Sequence, residues 1–496
     1  MNEKYILALD AGTTSSRSIL FDKKGNQVAI SQYEFEQFFP NKGWVEHDPL
    51  EIWNTQLKSI KNVIKIAKID LKSIDSIGIT NQRETTVIWN KNTGIPIYKA
   101  IVWQDRRTAS ICDNLLKENN SSSSVKELFQ MKTGLILDAY FSGTKIKWIL
   151  DNIPNARDLA NKNELAFGTI DTWLIWKLTR GKHHVTDPSN ASRTLLYNIH
   201  ELKWDNELLK LLDVPNNILP RVCQSSEIIG EAEIFNTKIK IAGIAGDQQA
   251  ALFGQLCLKP GDVKNTYGTG CFCIMNTGLN PIKSKNEMLT TIAYQINGET
   301  TYAIEGSVFV AGALIQWLRD KLGIIDNASD IEALAKTEQD SGGITFIPSL
   351  SGLAAPYWNP HATGNIMGIT RDSTKGHIAR AALEAISLRC KEVVVAMEKD
   401  SKTKFNTLKV DGGASNNDLL MQIQANILES NVIRPKITET TALGAAFLAG
   451  LATGFFKNIE AIENIWEKDK LFKPHEDLSL KKVNVLWSKR INQIIN

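Results

Sequence analysis

Cysteine is scarce in this chain and has no pattern. Six thiols, Cys112, Cys223, Cys257, Cys271, Cys273 and Cys390, are spread over 496 residues without a Cys-x-x-Cys pair. That argues against a zinc ribbon and against a disulfide framework, and reduced thiols in a chain this long place it in the cytoplasm. The seven histidines show no His-Glu-x-x-His spacing. No run of about 18 apolar residues occurs, so no membrane span is expected. Lys4 interrupts the first residues and the apolar run after it stops at Asp10, so no secretory leader is expected. An excess of one charge is also missing. With 57 basic and 54 acidic residues the net charge is +3, which gives no reason to expect nucleic acid or a membrane as partner. Low complexity is confined to residues 119–124, read as a solvent loop.

What is present is an ordinary globular composition, 43% hydrophobic and 22% charged, in a chain too long for one core. The stretch Asp10-Ala11-Gly12-Thr13-Thr14-Ser15-Ser16-Arg17 lies between two short apolar runs, residues 5–9 and 18–21. The pattern predicts a β-hairpin. Its turn suits a polyanion: Gly12 lets the backbone approach, Thr13, Thr14 and Ser15 offer hydroxyls and N–H groups, and Arg17 adds charge. Asp10 is placed to hold a hydrated Mg²⁺. Taken alone, the octapeptide reads equally as a surface hairpin.

Residues 27–35 read as a third strand. Asp48-Pro49 starts a helix whose buried face would carry Trp53, Leu57, Ile60, Ile64 and Ala67. A strand at 74–79 runs into Asn81-Gln82-Arg83-Glu84, and a second passes through Trp89. Trp103-Gln104-Asp105-Arg106-Arg107 leads into a helix, and Asp138-Ala139-Tyr140-Phe141 sits between helical segments. A strand at 239–244 delivers Gly246-Asp247-Gln248-Gln249. Near Gly254 the pattern restarts, with Gly268-Thr269-Gly270 as a second small-residue turn. Two α/β domains, each opening on a phosphate-facing hairpin, are expected from the placement of these turns. Residues 459–496 read as terminal helices.

Two such hairpins suggest a nucleotide clamped between lobes. Val410-Asp411-Gly412-Gly413 ends a strand in two glycines that let the backbone meet a flat ring, with a helix starting at Ser415 or Asn416. Gly312 and Gln316 would share one helix face.

These stretches, with Asn190-Ala191-Ser192-Arg193-Thr194 and Tyr267-Gly268-Thr269-Gly270-Cys271-Phe272, run in the order found in the FGGY carbohydrate kinase family, from residue 5 to about residue 450. The chain resembles that family and, through the Arg83-Glu84, Trp103 and Tyr140 stretches, its glycerol-phosphorylating branch. The resemblance implies an α/β fold of two actin/hexokinase-like (ribonuclease H-like) ATPase domains, residues 1–253 and 254–496, with the active site in the cleft between them. It implies transfer of the γ-phosphoryl of Mg-ATP to glycerol, giving sn-glycerol 3-phosphate, the first step of glycerol utilisation. Glycerol would be held by Arg83, Glu84, Tyr140, Asp247 and Gln248, with Trp103 and Phe272 as apolar walls. Asp247 would be the general base. Asp10 and Arg17 would complete the catalytic set, and Asp10 and Asp247 would face Mg²⁺. ATP would meet Thr13, Thr14, Ser15, Arg17, Thr269, Gly312, Gln316, Gly413 and Asn417. A homo-oligomer, dimer or tetramer, is also implied.

The chain departs from the family in three places. Some relatives bind fructose 1,6-bisphosphate on a glycine- and lysine-rich loop; here residues 231–238 hold no glycine and two acids, so no inhibition by that sugar is expected. Control through a phosphorylated histidine is not expected, since none lies between His200 and His361. Asn359 and Thr363 stand where the family usually has Asp and Arg, so a salt bridge usual in relatives is expected to be missing. Competing readings remain. A kinase for a larger polyol or ketose would be crowded by Trp103 and Tyr140. An actin-like ATPase would leave Arg83, Glu84 and Gln248 unexplained. A catalytically dead homologue would be expected to lack Asp10, Arg17 or Asp247.

Overall fold

In the computed structural model, which describes residues 3–118, 122–359 and 361–495, the first apolar runs pair as expected. β1 (Tyr5–Ala11) and β2 (Ser15–Phe21) form an antiparallel hairpin, and β3 (Gln27–Glu34) adds to β2. β1 is buried along its whole length, as a central strand must be. α1 (Pro49–Ala67) begins with Asp48 accepting from the Leu50 N–H at 2.8 Å. Its buried seam differs from the expected one. Ile52, Gln56, Ser59, Ile60 and Val63 are buried, whereas Trp53, Leu57, Ile64 and Ala67 lie partly exposed on the flanks. The reason is polar: Gln56 Nε2 donates to the Arg17 carbonyl at 2.9 Å and to Ser18 Oγ at 3.0 Å, turning that face toward β2.

β4 (Ile74–Asn81) pairs parallel to β1. The stretch read as a loop at 119–124 is helical from Ser122, within α2 (Ser122–Thr133); residues 119–121 lie outside the described residues. α3 (Ser142–Asn152) follows the Tyr140 loop. β5 (Ser226–Ile234) turns back at Phe235 and Asn236, both left-handed, onto β6 (Thr237–Gly246), which pairs parallel to β4. β6 delivers α4 (Asp247–Gly254).

The second lobe repeats the plan. Its strands are β7 (Val263–Tyr267), β8 (Cys271–Gly278), β9 (Leu289–Ile296), β10 (Glu299–Val308), β11 (Thr407–Asp411), β12 (Asn431–Pro435) and β13 (Lys468–Phe472). The spatial order β3-β2-β1-β4-β6 recurs as β10-β8-β7-β11-β12, three antiparallel strands followed by two parallel ones. The duplication inferred from turns is thus explicit in the topology. Among the described residues the lobes' sheets are continuous through one residue pair, Ser226 opposite Ile296.

The helices of this lobe used below are α5 (Gly312–Asp320), α6 (Lys375–Ser401), α7 (Asp418–Leu428), α8 (Thr440–Thr453) and α9 (Leu478–Ile495). α7 does not start at Ser415 or Asn416. A 3-10 turn, Gly413–Asn416, comes first, and Asn417 caps the helix. Residues 459–496 are not wholly helical either: β13, with three exposed charges, makes a charged sheet edge. Asn496 lies outside the described residues. α8 crosses α4 on bare backbone. A Cβ at Gly444 would fall 1.8 Å from the Ala250 carbonyl oxygen, and one at Gly254 would fall 2.0 Å from that of Thr440.

Candidate active site

β4 hands the chain to Gln82, Arg83 and Glu84. Glu84 sits at φ 60°, and its carbonyl accepts from Ser142 Oγ at 2.9 Å and Thr86 Oγ1 at 3.1 Å. The left-handed bend sends neighbouring side chains to different partners. Arg83 grips Glu305 of β10 with two nitrogens, Nη2 lying 3.0 Å from Oε1, and its Nε lies 3.1 Å from Asp247 Oδ1. Glu84 pairs with Arg193 at 2.6 Å, and Arg193 reaches Glu305 at 3.1 Å. None of Arg83, Glu84, Arg193 and Glu305 is more than 3% exposed. Two cations and two anions buried together offset one another's desolvation. Burial pushes the Glu305 carboxyl up, but Arg193 and Arg83 outweigh it and hold it at about 2. For Glu84, burial outweighs the same two arginines and the carboxyl is raised.

The aromatic wall stands against this cluster. Trp103 meets Tyr140 and Phe272 edge-on, at centroid distances of 5.6 and 6.2 Å. Its Nε1 donates to Thr13 Oγ1 at 3.1 Å, tying the wall to the first turn. Below it, Arg107 is enclosed: its guanidinium lies 3.7 Å from the Trp44 ring and pairs with Asp105 at 2.7 Å and Glu46 at 2.9 Å. Tyr140 is held by its backbone, its N–H donating to Asp138 Oδ1 at 2.8 Å and its carbonyl accepting from the buried Lys145 at 2.5 Å. Asp247 opens α4 with 29% of its side chain exposed, and burial pushes its carboxyl up against the pull of Arg83 and Lys264.

Beside the first small-residue turn, Asp10 faces Arg17 across the hairpin ladder. Arg17 Nη2 lies 2.5 Å from Asp10 Oδ2, and Nη1 lies 2.7 Å from Glu439 Oε2 in the other lobe. Burial raises the Asp10 carboxyl against Arg17. Thr13 Oγ1 accepts from Trp103, and Ser15 Oγ accepts from Gln32 Nε2 at 2.9 Å. A hydroxyl that already accepts keeps its O–H for a phosphate oxygen. Thr14 is exposed.

The opposing turn is packed on α5. The Thr269 carbonyl accepts from the Ala311 and Ala313 N–H groups at 2.9 and 3.0 Å, and the Gly268 carbonyl from the Gly312 N–H at 3.0 Å. A Cβ at Gly312 would fall 2.6 Å from the Gly268 oxygen, so only glycine fits. Gly412, at φ +82°, passes equally close to the Tyr267 carbonyl, while a Cβ at Gly413 would meet nothing within 4 Å. Thr269, Gly312 and the 412–413 turn are therefore gathered around the end of β7. Gln316 is exposed one turn along α5, and Asn417 Oδ1 is engaged in capping Leu420 at 2.8 Å. Among the described residues no hydrogen bond or ion pair joins residues 13–15 to residues 268–270.

For a metal, no three His, Cys, Asp or Glu side chains converge among the described residues. Asp10 and Asp247 are two hard oxygen donors near enough that Asp10 adds to the rise of the Asp247 carboxyl. Two carboxylates suit a Mg²⁺ that keeps water and phosphate ligands, not a closed protein cage. The sequence reading passed over four charged groups: Arg193, Lys264, Glu305 and Glu439. Arg193 lay in a stretch already singled out. Glu305 left a faint signal, a carboxylate inside the apolar strand Tyr302-Ala303-Ile304-Glu305. At the other departure, Asn359 Oδ1 accepts from the His361 N–H at 3.0 Å and turns the loop; Pro360 lies outside the described residues.

A two-lobed α/β fold with a polar pocket on one wall of its cleft and small-residue turns on the other defines a class of phosphotransferase. The sequence matches the N-terminal domain of the FGGY family of carbohydrate kinases over residues 5–254 and its C-terminal domain over residues 263–453, and the chain belongs to that family. Within it, a glycerol kinase of Burkholderia ambifaria is 56% identical over 476 residues, 96% of this chain and 94% of that protein. A glycerol kinase of Deinococcus radiodurans is 57% identical over 95% of this chain and 93% of its own length. The crystal structure of Plasmodium falciparum glycerol kinase with ADP superposes with a TM-score of 0.92 at 34% identity, covering 100% of this chain and 99% of that one.

Proposed function

We propose that the protein phosphorylates glycerol: it transfers the γ-phosphoryl of ATP to a terminal hydroxyl, giving sn-glycerol 3-phosphate and ADP. The observation that carries this reading is the polar cluster of Arg83, Glu84, Asp247 and Gln248 beside the Trp103, Tyr140 and Phe272 rings. A triol needs donors and acceptors close together and an apolar cover for a short carbon chain. Arg supplies only donors and carboxylates only acceptors. The rings narrow the pocket and shed water that would otherwise be phosphorylated.

In this reading Asp247 takes the proton of the attacking hydroxyl as its oxygen bonds the γ-phosphorus and the bridging bond to ADP breaks. Arg83, 3.1 Å away, orients the carboxylate. Thr13, Ser15 and Arg17 donate to the phosphates from one lobe and Thr269 from the other. Gly312, Gln316, Gly413 and Asn417 line the nucleoside side, and Thr14 contributes its N–H. Asp10 and Asp247 would hold Mg²⁺ through water, and the ion would neutralise charge on the phosphates. The first lobe, residues 1–253, supplies acceptor and base; the second, residues 254–496, supplies the nucleotide surface. A cytoplasmic homo-oligomer, dimer or tetramer, belongs to the same reading. It fits six unpaired cysteines and the lack, among the described residues, of a helix able to span a membrane; sedimentation measures the assembly.

ADP release is measured from Mg-ATP with glycerol, xylulose, gluconate or no acceptor. A large glycerol-dependent rate is expected. Preference for xylulose or gluconate would keep the fold and overturn the substrate, and acceptor-independent turnover would favour an ATPase.

A further inference from the structure

Lys264 is a buried charge with no role in the chemistry above. It lies on β7, its residue is 0% exposed, and no carboxylate lies within ion-pair distance of it among the described residues. Its Nζ makes two hydrogen bonds, to Gln248 Oε1 at 2.5 Å and to Thr266 Oγ1 at 2.7 Å. Burying an ammonium without a direct counter-ion costs several kcal/mol. Asp411, Asp247 and Glu305 act on it only from farther off.

The consequence lies in Gln248. A side-chain amide has an acceptor end and a donor end that are nearly the same shape, and its neighbours decide which way it points. Lysine has donors only, so the atom facing it must be the oxygen. Nε2 then points away from Lys264, and it has no protein partner among the described residues. Gln248 is 7% exposed and stands beside Asp247, whose carboxylate remains open to the cleft. Thr266 reinforces the arrangement, because it shares the face of β7 with Lys264 and fixes the ammonium from the other side.

We infer that Lys264 is a positioning residue for acceptor specificity: it locks the Gln248 amide so that its N–H donors, not its oxygen, meet the substrate hydroxyl. The contact crosses the lobes, from β7 to α4, so the amide is set correctly only when β7 is in place. β7 also leads into the Gly268-Thr269-Gly270 turn. Acceptor recognition and the phosphate turn thus share one strand. The inference rests on the glycerol reading above.

The test is a double-mutant cycle with purified full-length protein. It compares wild type, Lys264→Met, Gln248→Leu and the double variant, with KM for glycerol, KM for ATP and kcat measured separately. A donor lost from a small polar ligand is expected to raise the glycerol KM about 10- to 30-fold in each single variant. KM for ATP is expected to stay within about threefold. If Lys264 acts through Gln248, the double variant is no worse than Gln248→Leu. Additive losses, or a loss confined to kcat or to ATP, overturn the inference. Lys264→Gln keeps an N–H donor without the charge and guards against misfolding of the Met variant. Its glycerol KM is expected within about threefold of wild type, and a value as high as in Gln248→Leu overturns the inference. Wild type inactive on glycerol but active on another acceptor would overturn the substrate reading itself, an outcome distinct from an additive cycle.

Discussion

The proposed function divides the cleft into an acceptor wall and a phosphate wall, and on the first Arg83, Glu84, Arg193 and Glu305 are buried and paired with one another. On the phosphate wall, Arg17 keeps 25% of its side chain exposed and is shared between Asp10 and a Glu439 that is itself 32% exposed. Gly413 there looks onto open space. The acceptor wall is preorganised: its charges are fixed by covalent neighbours and buried partners, so glycerol would meet a finished surface. The phosphate wall is unfinished and leaves donors for a ligand to recruit. Recognition of a small neutral triol needs rigid placement. A polyanion brings enough charge to rearrange what it meets.

Removing the carboxylate proposed as the base breaks the comparison most. In Asp247→Asn the carboxylate between Arg83 and the cleft is lost, and kcat with glycerol is expected to fall by about 10²- to 10⁴-fold, read from initial rates of ADP release. A loss below tenfold would remove Asp247 from the role of base. Next in size is Glu305→Gln, which strands two buried guanidiniums. It is expected to cost about 3–5 kcal/mol of stability, measured by denaturant unfolding. The same carboxyl sets an acid limb. Its folded value of about 2 is depressed from 4.5, so its stabilisation is complete above about pH 4.5 and is lost as pH falls through about 2. Wild-type stability is expected to drop across that window, and Glu305→Gln to be flatter there.

The phosphate wall predicts smaller numbers. Glu439→Gln removes a partly exposed pair worth about 0.2–1 kcal/mol, so unfolding hardly changes. Arg17 is released, and KM for ATP is expected to fall by up to about threefold with glycerol KM unmoved. A stability loss as large as that of Glu305→Gln would erase the contrast between the walls. The smallest expected effect is none: fructose 1,6-bisphosphate at millimolar concentration leaves the rate unchanged. The stretch that would bind it is a hairpin closed by Phe235 and Asn236, without the glycines of a cradling loop.

The same contrast divides what could be read from the chain alone. The two small-residue turns were legible as turns because their residues are contiguous: Gly12 to Arg17 and Gly268 to Gly270 announce themselves locally. Arg83 and Glu84 were legible as an adjacent polar pair, but the left-handed bend at Glu84 that sends them to different partners leaves no mark in composition. Their partners lie far off in sequence, Glu305 at 222 residues from Arg83 and Arg193 at 109 from Glu84, and Glu439 lies 422 from Arg17. Lys264 was hidden for a different reason. A lysine on a strand is ordinarily solvent-facing, and only tertiary packing turns this one inward.

The glycine crossing of α4 and α8 has a further consequence. At Gly444 and Gly254 the helices touch through backbone atoms with no room for a methyl group, while Ala250, Phe253, Ala442 and Ala446 pack in one apolar cluster around the contact. That contact holds the helices at one spacing, since a side chain at either glycine would drive them apart. The crossing is therefore a fixed seat: Asp247, one turn from Ala250, starts the helix that is clamped there. The position of the Asp247 carboxylate is thus set in part by two side chains that are not there. A side chain added at Gly444 would push on the Ala250 carbonyl and so shift the helix that carries Asp247.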